Sequence, residues 1–559
     1  MRALVFFCFF LTLTATACAL DQPEPLVGGY PSSDALQLGE RLDRQGLLPS
    51  GEPSEAIVQI DIPVDGTMFS CESCHLRSGL GSIEGKVVTL PTNATELFKP
   101  FTSAAEETHP SWQTVPDAIK WTIRRPAYTD ETLARAIWTG IDPEGRELNW
   151  SMPRYNLEER DMEILVYYLK NLSNAPSPGV SDTAIRFATV VSDTIPVEER
   201  NAMLDVIQTY FSDRSGQMRR QEERAVKGPF YHKKRTTAFR RLDLSIWELH
   251  GPPDTWREQL EKYYQEQPVF ALVGGMARPV WQPIHEFCEE HRIPAILPIT
   301  DYPVVNETDW YTLYFSKGYY QEGEASARFL SRSDAPDRPV VQIYRNDSAG
   351  QSLARGFRET RQRLHQLLPA DIALDPGQKL DSTFWKQLAG QYSGAVYVLW
   401  LDADDLQEVA GLAGESPSLQ LLITSYSLLE NRYDELPESI LPLVRMTYPY
   451  RLPDQSIKHR EVIRNWLRFR KVPIGDPMIQ SKMYFLGWLL SNALMMTGND
   501  YYRDYFLDSI DMMNDETYAI AAYPRLSFGP GQRYASKGCH IVKIAAGGQL
   551  DPVTNWVIH

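Results

Sequence analysis

The chain has 559 residues and a formal net charge of -16, from 72 acidic and 56 basic side chains. This acidic balance argues against a general nucleic-acid-binding role. The chain is too long for one hydrophobic core, so roughly two to four domain-sized units are expected. Beyond the first residues, no apolar stretch approaches the ~18 residues that a membrane-spanning helix needs. The composition therefore predicts a soluble, multidomain mature protein without a transmembrane segment.

The N-terminus has the features of a secretory signal peptide. Arg2 precedes an apolar run, and small residues follow up to Ala17-Cys18-Ala19, which forms an A-x-A cleavage site. We predict that residues 1–19 are removed and that the mature chain, beginning at Leu20, is periplasmic. A lipoprotein with a lipidated Cys18 is the less favoured alternative, because Ala15 is a poor first residue for the required motif.

Residues 30–172 are predicted to form a small helical unit. Capping residues and apolar stripes support a helix over residues 34–45, one over residues 130–139 and one at the end of the unit. The signals are Thr129 and Gly140 at the two ends of the second helix, and Asn156 with Glu159, which resembles a capping box before the last helix.

Within this unit lies Cys71-Glu72-Ser73-Cys74-His75. C-x-x-C-H is the attachment signature of a c-type haem, in which both thiols bond the porphyrin and the histidine is an iron ligand. A thioredoxin-like pair would need a βαβ context that the upstream residues lack. A structural zinc site would need a second ligand pair that the chain does not have. We therefore predict one covalent haem c on Cys71 and Cys74, with His75 as an axial ligand.

The second axial ligand is predicted to be Met152. It lies before the last helix of the unit, and Pro153 restricts its backbone to extended geometry. Met162 falls on an apolar stripe and is predicted to be a core residue, while His109 and Met68 are weaker ligand candidates. The segment resembles class I cytochrome c, including the Gly-Leu-Gly run at residues 79–81. The resemblance implies an all-α haem domain over residues 30–172.

A Pro- and Ser-containing linker, 173–182, precedes a different pattern. Strands and helices alternate, which is typical of doubly wound parallel sheets, and two such lobes in series form a clamshell that binds ligands between them. The predicted strands are 185–191, 242–249, 269–273, 295–298, 340–344, 395–400 and 419–424. The predicted helices begin near 197 and otherwise cover 254–265, 279–291, 350–368 and 402–412.

The segments 270–275, 293–298 and 315–330 are similar to the type 1 periplasmic-binding family, in its branched-chain amino-acid receptor branch. The resemblance covers residues 183–548, with lobes at about 183–302 and 303–440 and the remainder shared. The whole chain looks like a family that fuses a cytochrome c to such a domain, which residues 47–52 and 152–155 also fit.

The resemblance implies ligand contacts in the cleft, where a helix N-terminus can hold a carboxylate. Arg278 replaces with charge the serine expected after the third strand. Two candidates also have local interpretations, Asp402 as a helix N-cap and Thr300 as a turn residue. The full set of ligand candidates is Met276, Ala277, Arg278, Thr300, Asp301, Tyr319 and Asp402.

Two further features of the second half leave alternatives open. Cys288 and Cys539 are predicted to form either one disulfide or two buried thiols. A basic stretch between Arg219 and Arg241 is interpreted as a solvated loop, with a docking patch for an acidic redox partner or a membrane surface as the alternative.

Together these features predict a periplasmic c-type cytochrome that transfers electrons, with a clamshell that senses or docks a small, amino-acid-like molecule. The alternatives are a solute-binding protein of an importer with an auxiliary haem, and an electron-accepting subunit of a periplasmic dehydrogenase. No nucleophile–base triad or metalloprotease motif is visible, so no catalytic residue is predicted. The expected partners are a redox donor and acceptor.

Overall fold

The chain divides into two compact units, and within the described residues the division falls between Asn174 and Ala175. The computed structural model describes residues 24–84, 87–102, 124–227, 240–306, 308–332, 338–410, 421–513, 522–545 and 547–558. The predicted signal peptide, with Cys18, and His109 lie outside these residues. Among the described helices, none is long and apolar enough to cross a membrane.

The first unit mixes helices with small antiparallel sheets. Its helices are α1 Ser32–Gln45, α2 Glu72–His75, α3 Ala94–Leu97, α4 Asp130–Thr139 and α5 Glu159–Asn171. Its strands are β1 Leu26–Val27, β2 Tyr30–Pro31, β3 Glu55–Val58, β4 Ile62–Asp65, β5 Ile83–Glu84, β6 Val87–Val88, β7 Phe101–Thr102, β8 Arg124–Arg125 and β9 Arg154–Tyr155. The expectation of an all-α unit is therefore corrected. Strand β3 lies between β4 and β9, and its residues are alternately exposed and buried, as in a half-buried strand.

The predicted helices of this unit are present. Helix α4 begins and ends where the sequence predicts: the Thr129 hydroxyl accepts a hydrogen bond from the Thr132 amide, and Gly140 takes a left-handed conformation with φ 73°. The predicted capping box before α5 is wrong. The Asn156 amide instead donates to the carbonyl of Glu55 across the sheet, so α5 begins only at Glu159.

Helices α1 and α5 pack closely in the core of this unit. A Cβ added to Gly39 in α1 would lie 2.5 Å from the Cβ of Tyr168 in α5, so only glycine permits this approach. Met162 is 2% exposed and packs in the same core, as predicted.

The second unit, residues 175–558, contains two sheets whose main strands are parallel, as predicted. Its helices are α6 Val197–Lys227, α7 Trp256–Glu266, α8 Gln282–Glu290, α9 Gly318–Ser331, α10 Ser348–Arg363, α11 Ser382–Gln391, α12 Tyr426–Leu429, α13 Pro453–Arg470, α14 Pro477–Thr497 and α15 Arg503–Asp511, with 3-10 helices at Pro253–Thr255, Gln407–Val409 and Glu430–Glu435. The predicted helix over 402–412 consists of a turn, the second of these 3-10 helices and an α-helical residue at Ala410, while residues 411–412 lie outside the described residues. Asp405 in that turn pairs with Arg345.

The first lobe is built on a five-stranded parallel sheet. Its strands are β10 Ala184–Ser192, β11 Arg241–Leu249, β12 Ala271–Val273, β13 Ala295–Ile296 and β14 Thr312–Leu313. They lie in the order β11-β10-β12-β13-β14, so the strand order reverses between β10 and β12. In open α/β sheets, ligands bind outside the carboxyl ends of the strands at such a reversal.

The second lobe repeats this order and adds antiparallel strands. Its strands are β15 Val340–Arg345, β16 Ala370–Leu374, β17 Val396–Trp400, β18 Leu422–Ser425, β19 Val444–Tyr448, β20 Gly538–Ile544, β21 Leu550–Pro552 and β22 Val557–Ile558. The parallel part runs β16-β15-β17-β18-β19, and β20 joins β19 antiparallel.

The chain passes between the lobes three times. It leaves the first lobe after β14, returns to it after β19 and crosses again before β20, so α13 to α15 pack on the first sheet. Strand β14 belongs to the first sheet, so the first lobe extends one strand beyond the predicted limit at residue 302. Part of the predicted linker also packs on this unit, because the Ser177 amide donates to the carbonyl of Tyr501.

The two cysteines of the second unit are buried free thiols, Cys288 in α8 of the first lobe and Cys539 in β20 of the second. This decides between the two alternatives that the sequence left open.

Much of the basic stretch, residues 228–239, lies outside the described residues.

Candidate functional site

The C-x-x-C-H motif forms one short helical turn. Cys71 is the N-cap residue of α2, and its carbonyl accepts a hydrogen bond from the His75 amide at 2.8 Å. The His75 Nδ1 lies 2.7 Å from the carbonyl oxygen of Leu90. Because a carbonyl only accepts hydrogen bonds, Nδ1 carries the proton and Nε2 keeps its lone pair. Burial lowers the pKa of His75, so the ring is neutral, the form that binds a metal.

Cys71 packs against the apolar core of the first unit, close to the Asp43 carboxyl. Burial raises the pKa of its thiol, and the neighbouring Asp43 carboxylate raises it further. Asp43 is itself buried, and burial raises the pKa of that carboxyl to about 7. The Tyr155 hydroxyl donates to the carbonyl of Phe69, two residues before Cys71.

The Met152 loop is braced by the residues that follow it. The guanidinium of Arg154 donates to the carbonyls of Met152 and Leu148 at 2.6 and 2.7 Å, and it stacks over the Trp150 ring at 4.7 Å. Since Tyr155 bonds the segment before Cys71, the same strand connects the Met152 loop to the C-x-x-C-H turn. Met68 is 75% exposed on the surface.

These residues fit a covalently bound haem. Cys71 and Cys74 are free thiols three residues apart on one turn, and the imidazole of His75 is held by its other nitrogen. Metal-binding histidines usually donate their second N–H to an acceptor of this kind.

In the first lobe of the second unit, the predicted anion-binding loop is engaged in internal contacts. The Met276 amide donates to the carbonyl of Val190, and the Arg278 amide donates to the Ser192 hydroxyl. The Arg278 guanidinium pairs with both carboxylate oxygens of Glu199, at 3.2 and 2.8 Å. Ala277 is buried in the lobe core. Arg278 is therefore already ion-paired, at a partly exposed position.

Asp301 and Tyr319 lie where the two lobes meet. The ring of Tyr302, in the first lobe, is 5.3 Å from the ring of Tyr319, at the start of α9 in the second lobe. Burial raises the pKa of Tyr319, and the carboxylates of Asp301 and Glu430 raise it further. The side chain of Thr300 has the local role that the sequence allowed, since its hydroxyl accepts the Tyr302 amide.

Asp402 also has the local alternative role. Its carboxylate accepts a hydrogen bond from the Asp405 amide at 2.9 Å, which caps the turn after β17.

No local sequence pattern singled out the residues at the base of the cleft, which are Tyr426, Tyr450, Tyr523 and Glu322. Tyr450 follows β19 at the crossing between lobes, and its ring lies 5.6 Å from that of Tyr523 and 5.9 Å from that of Tyr426. Glu322 in α9 is fully buried, and its Oε2 accepts hydrogen bonds from the hydroxyls of Ser425 and Thr447 at 2.9 and 2.5 Å. Burial raises the pKa of the Glu322 carboxyl to about 7, and the nearby Ser427 moderates that rise. The second oxygen, Oε1, makes no well-formed hydrogen bond to a described residue.

One sequence feature that could have pointed to this region is Lys482, the one charged residue in the apolar helix α14, Pro477–Thr497. A single charge in such a helix indicates either a snorkelling side chain or a functional site.

Residues 240–413 match a family model described as periplasmic binding protein. Among curated proteins, none matches the chain. Similar solved structures include a fatty acid ABC transporter substrate-binding protein from Thermomonospora curvata, with 13% identity over 69% of this chain and 95% of that one and a TM-score of 0.45. A solute-binding protein from R. palustris in complex with benzoate has 13% identity over 67% and 96%, with a TM-score of 0.45. A branched-chain amino acid ABC transporter protein from Thermus thermophilus with bound valine has 13% identity over 67% and 97%, with a TM-score of 0.45.

Proposed function

We propose that residues 175–558 bind one small solute between the two lobes and that the chain acts as a periplasmic solute-binding protein of an importer. The observation that best supports this is the convergence of side chains from both lobes. Tyr302 contacts Tyr319 across the cleft, and the carboxylate of Asp301 acts on Tyr450, whose pKa is raised by burial, by Tyr523 and by Asp301. The match of residues 240–413 to the periplasmic-binding-protein model agrees with this proposal.

The site has the composition of a small-molecule pocket. It combines several aromatic rings with a few charged groups at the carboxyl ends of two parallel sheets, which is where ligands bind in such folds. A solute that contacts both lobes favours their closure, by as much as its affinity for the closed state exceeds that for the open state.

Thermal unfolding of the purified full-length protein with a broad set of amino acids, organic acids, amines and sugars tests solute binding. A solute present at 100 times its Kd stabilises the protein by about 2.7 kcal/mol, which raises the melting temperature measurably. Tyr319→Ala should weaken that response, while Tyr167→Ala, in helix α5 of the first unit, should leave it unchanged. The proposal fails if no solute raises the melting temperature of the wild-type protein.

A second function is supported by the first unit. We propose that Cys71 and Cys74 bind one haem c, with His75 and Met152 as axial ligands, and that the protein exchanges electrons with a redox partner in the periplasm. The hydrogen bond from His75 Nδ1 to Leu90 supports this, because it leaves the Nε2 lone pair available to bind a metal. Such a group supplies one-electron transfer. The residues of the chain anchor it, orient the imidazole and brace the thioether loop through Arg154.

Expression in a host that matures c-type cytochromes tests this second proposal. The wild-type protein should have the mass of the chain plus one haem, and the Cys71→Ser/Cys74→Ser variant should have the bare peptide mass. Met152→Ala should keep the added mass but lose the near-infrared sulfur-to-iron band and have a lower reduction potential. Met68→Ala is the matched control, since Met68 is exposed. A colourless wild-type protein of bare peptide mass would refute the proposal.

A further inference from the structure

Lys482 is a buried cation that pairs with no carboxylate of the described residues. It lies in α14 and is only 7% exposed, and in the described part of the chain its ammonium makes no hydrogen bond or ion pair. Its nitrogen nevertheless keeps some contact with solvent and is not fully enclosed by the protein. Burying a charge without a partner is costly, so an unpaired ammonium here calls for an explanation.

Three aromatic rings surround this ammonium. The Nζ lies 5.7 Å from the centroid of Phe315 and 5.6 Å from those of Tyr450 and Tyr523. Cation–π contacts of this kind offset part of the desolvation cost but do not neutralise the charge.

The three rings around Lys482, which we call the aromatic cage, lie at the crossing between the lobes. Phe315 follows β14, where the chain leaves the first lobe, and Tyr450 follows β19, where it returns. The hydroxyl of Tyr450 makes no hydrogen bond to a described residue and is not fully enclosed. Arg451, the neighbouring cation, is different, since its guanidinium donates to the carbonyls of Tyr523 and Pro524.

The other cation expected to receive an anion is already paired. Arg278 binds both oxygens of Glu199, so a ligand carboxylate at that loop would compete with an existing ion pair. At Lys482 no described carboxylate forms an ion pair, and three aromatic rings shield the ammonium from water, which strengthens an ion pair formed there.

We propose that Lys482 binds the carboxylate of a small organic acid whose apolar body lies among the tyrosine rings at the base of the cleft. This inference rests on the proposed solute-binding function and names its ligand class. A phosphate dianion fits poorly, because it needs several N–H donors and the surroundings of Lys482 are rings. Burial and Tyr523 raise the pKa of Tyr450 most, and the carboxylates of Asp301 and Glu322 raise it further. These two carboxylates act on Tyr450, on the side of the ligand body, where they disfavour a second negative charge.

The test uses benzoate, phenylacetate and 3-methylbutanoate, each beside its neutral amide, with the full-length protein. At least one acid should raise the melting temperature and bind in calorimetric titration, while its amide should not. Lys482→Met should weaken that binding about 10- to 100-fold, the value of one hydrogen bond to a charged group. The same variant should melt at a higher temperature than the wild type without ligand, because the unpaired charge is gone. Lys543→Met, at an exposed lysine of β20, should change neither property.

A second measurement does not depend on any variant folding. The bound acid should protect Lys482 of the wild-type protein from acetylation, as measured by mass spectrometry. The inference is overturned if none of the three acids binds, if acids and amides bind equally, if Lys482→Met binds as the wild type does, or if the acids give no protection. If other solutes still raise the melting temperature, the solute-binding function stands and only the ligand class fails. If no solute does, both fail.

Discussion

His540 is a buried imidazole at the end of the antiparallel pair between β19 and β20. It is 8% exposed, and neither ring nitrogen has a hydrogen-bond partner in the described part of the chain. Its ring meets that of Trp556 edge to face at 4.8 Å. Burial lowers the pKa of His540 to about 4, because the protonated ring would be a buried charge without a partner.

This residue should make stability depend on pH. Between about pH 6.5 and pH 4 the unfolded chain binds a proton at His540 and the folded chain does not, so stability falls as the pH falls. At pH 5 the expected loss is about 2 kcal/mol relative to neutral pH. His540→Phe should remove that loss, which urea unfolding at pH 7.5 and pH 5.0 would measure.

The control for this prediction is His250→Phe, at a histidine with an exposed side chain. It should leave the pH dependence unchanged. Glu322 and Asp511 have pKa values raised mainly by burial, to about 7 and about 6, so they stabilise the fold towards low pH and act against His540. The comparison between variant and wild type isolates the histidine. Equal losses in both proteins between the two pH values would contradict the assignment.

At the scale of elements, helices α9 and α10 of the second lobe pack in very close contact. A Cβ on Gly323 would lie 2.2 Å from the carbonyl oxygen of Leu353, and one on Gly356 would lie 2.2 Å from that of Tyr320. The two helices therefore meet backbone to backbone, each through a glycine. Helix α9 also carries Tyr319 and Glu322, so this packing positions part of the cleft.

Gly323→Ala should destabilise the second unit by at least about 1–3 kcal/mol, the usual cost of overpacking, because neither backbone can yield without moving a helix. Gly390→Ala in α11 is the matched control. A Cβ there meets nothing within 4 Å, so the substitution should be neutral or stabilising by roughly 0.5–1 kcal/mol. Thermal unfolding compares the two variants. A Gly323→Ala protein as stable as the control would show that the helices are not in such contact.

At the same scale, local signals predicted elements well where one residue decides the backbone. Thr129 and Gly140 fixed both ends of α4, because a hydroxyl cap and a left-handed glycine act within one turn. Asn156 failed as a cap because the sheet hydrogen bond to Glu55, a hundred residues earlier, holds its backbone. The helix predicted at 402–412 differs as well, since residues 403–406 form a turn and a 3-10 helix at Gln407–Val409 follows.

At the scale of the whole molecule, the two proposed functions belong to separate units. The C-x-x-C-H turn lies in residues 24–174, and the cleft lies in residues 175–558. Three crossings between the lobes place Phe315, Tyr450 and the return to β20 side by side, so the base of the cleft is made of hinge residues. A ligand held there would contact the segments that must bend when the lobes close.

The sequence by itself determined the C-x-x-C-H spacing, the alternation of strands and helices and the doubly wound class of the second unit, because each depends on short spacings along the chain. Only the tertiary structure decided which charges are already paired and which are not. Arg278 meets Glu199, 79 residues away, while Lys482 lies among rings from segments as distant as Phe315. Pairing across such distances is set by how the lobes and their crossings pack, and no local pattern encodes it.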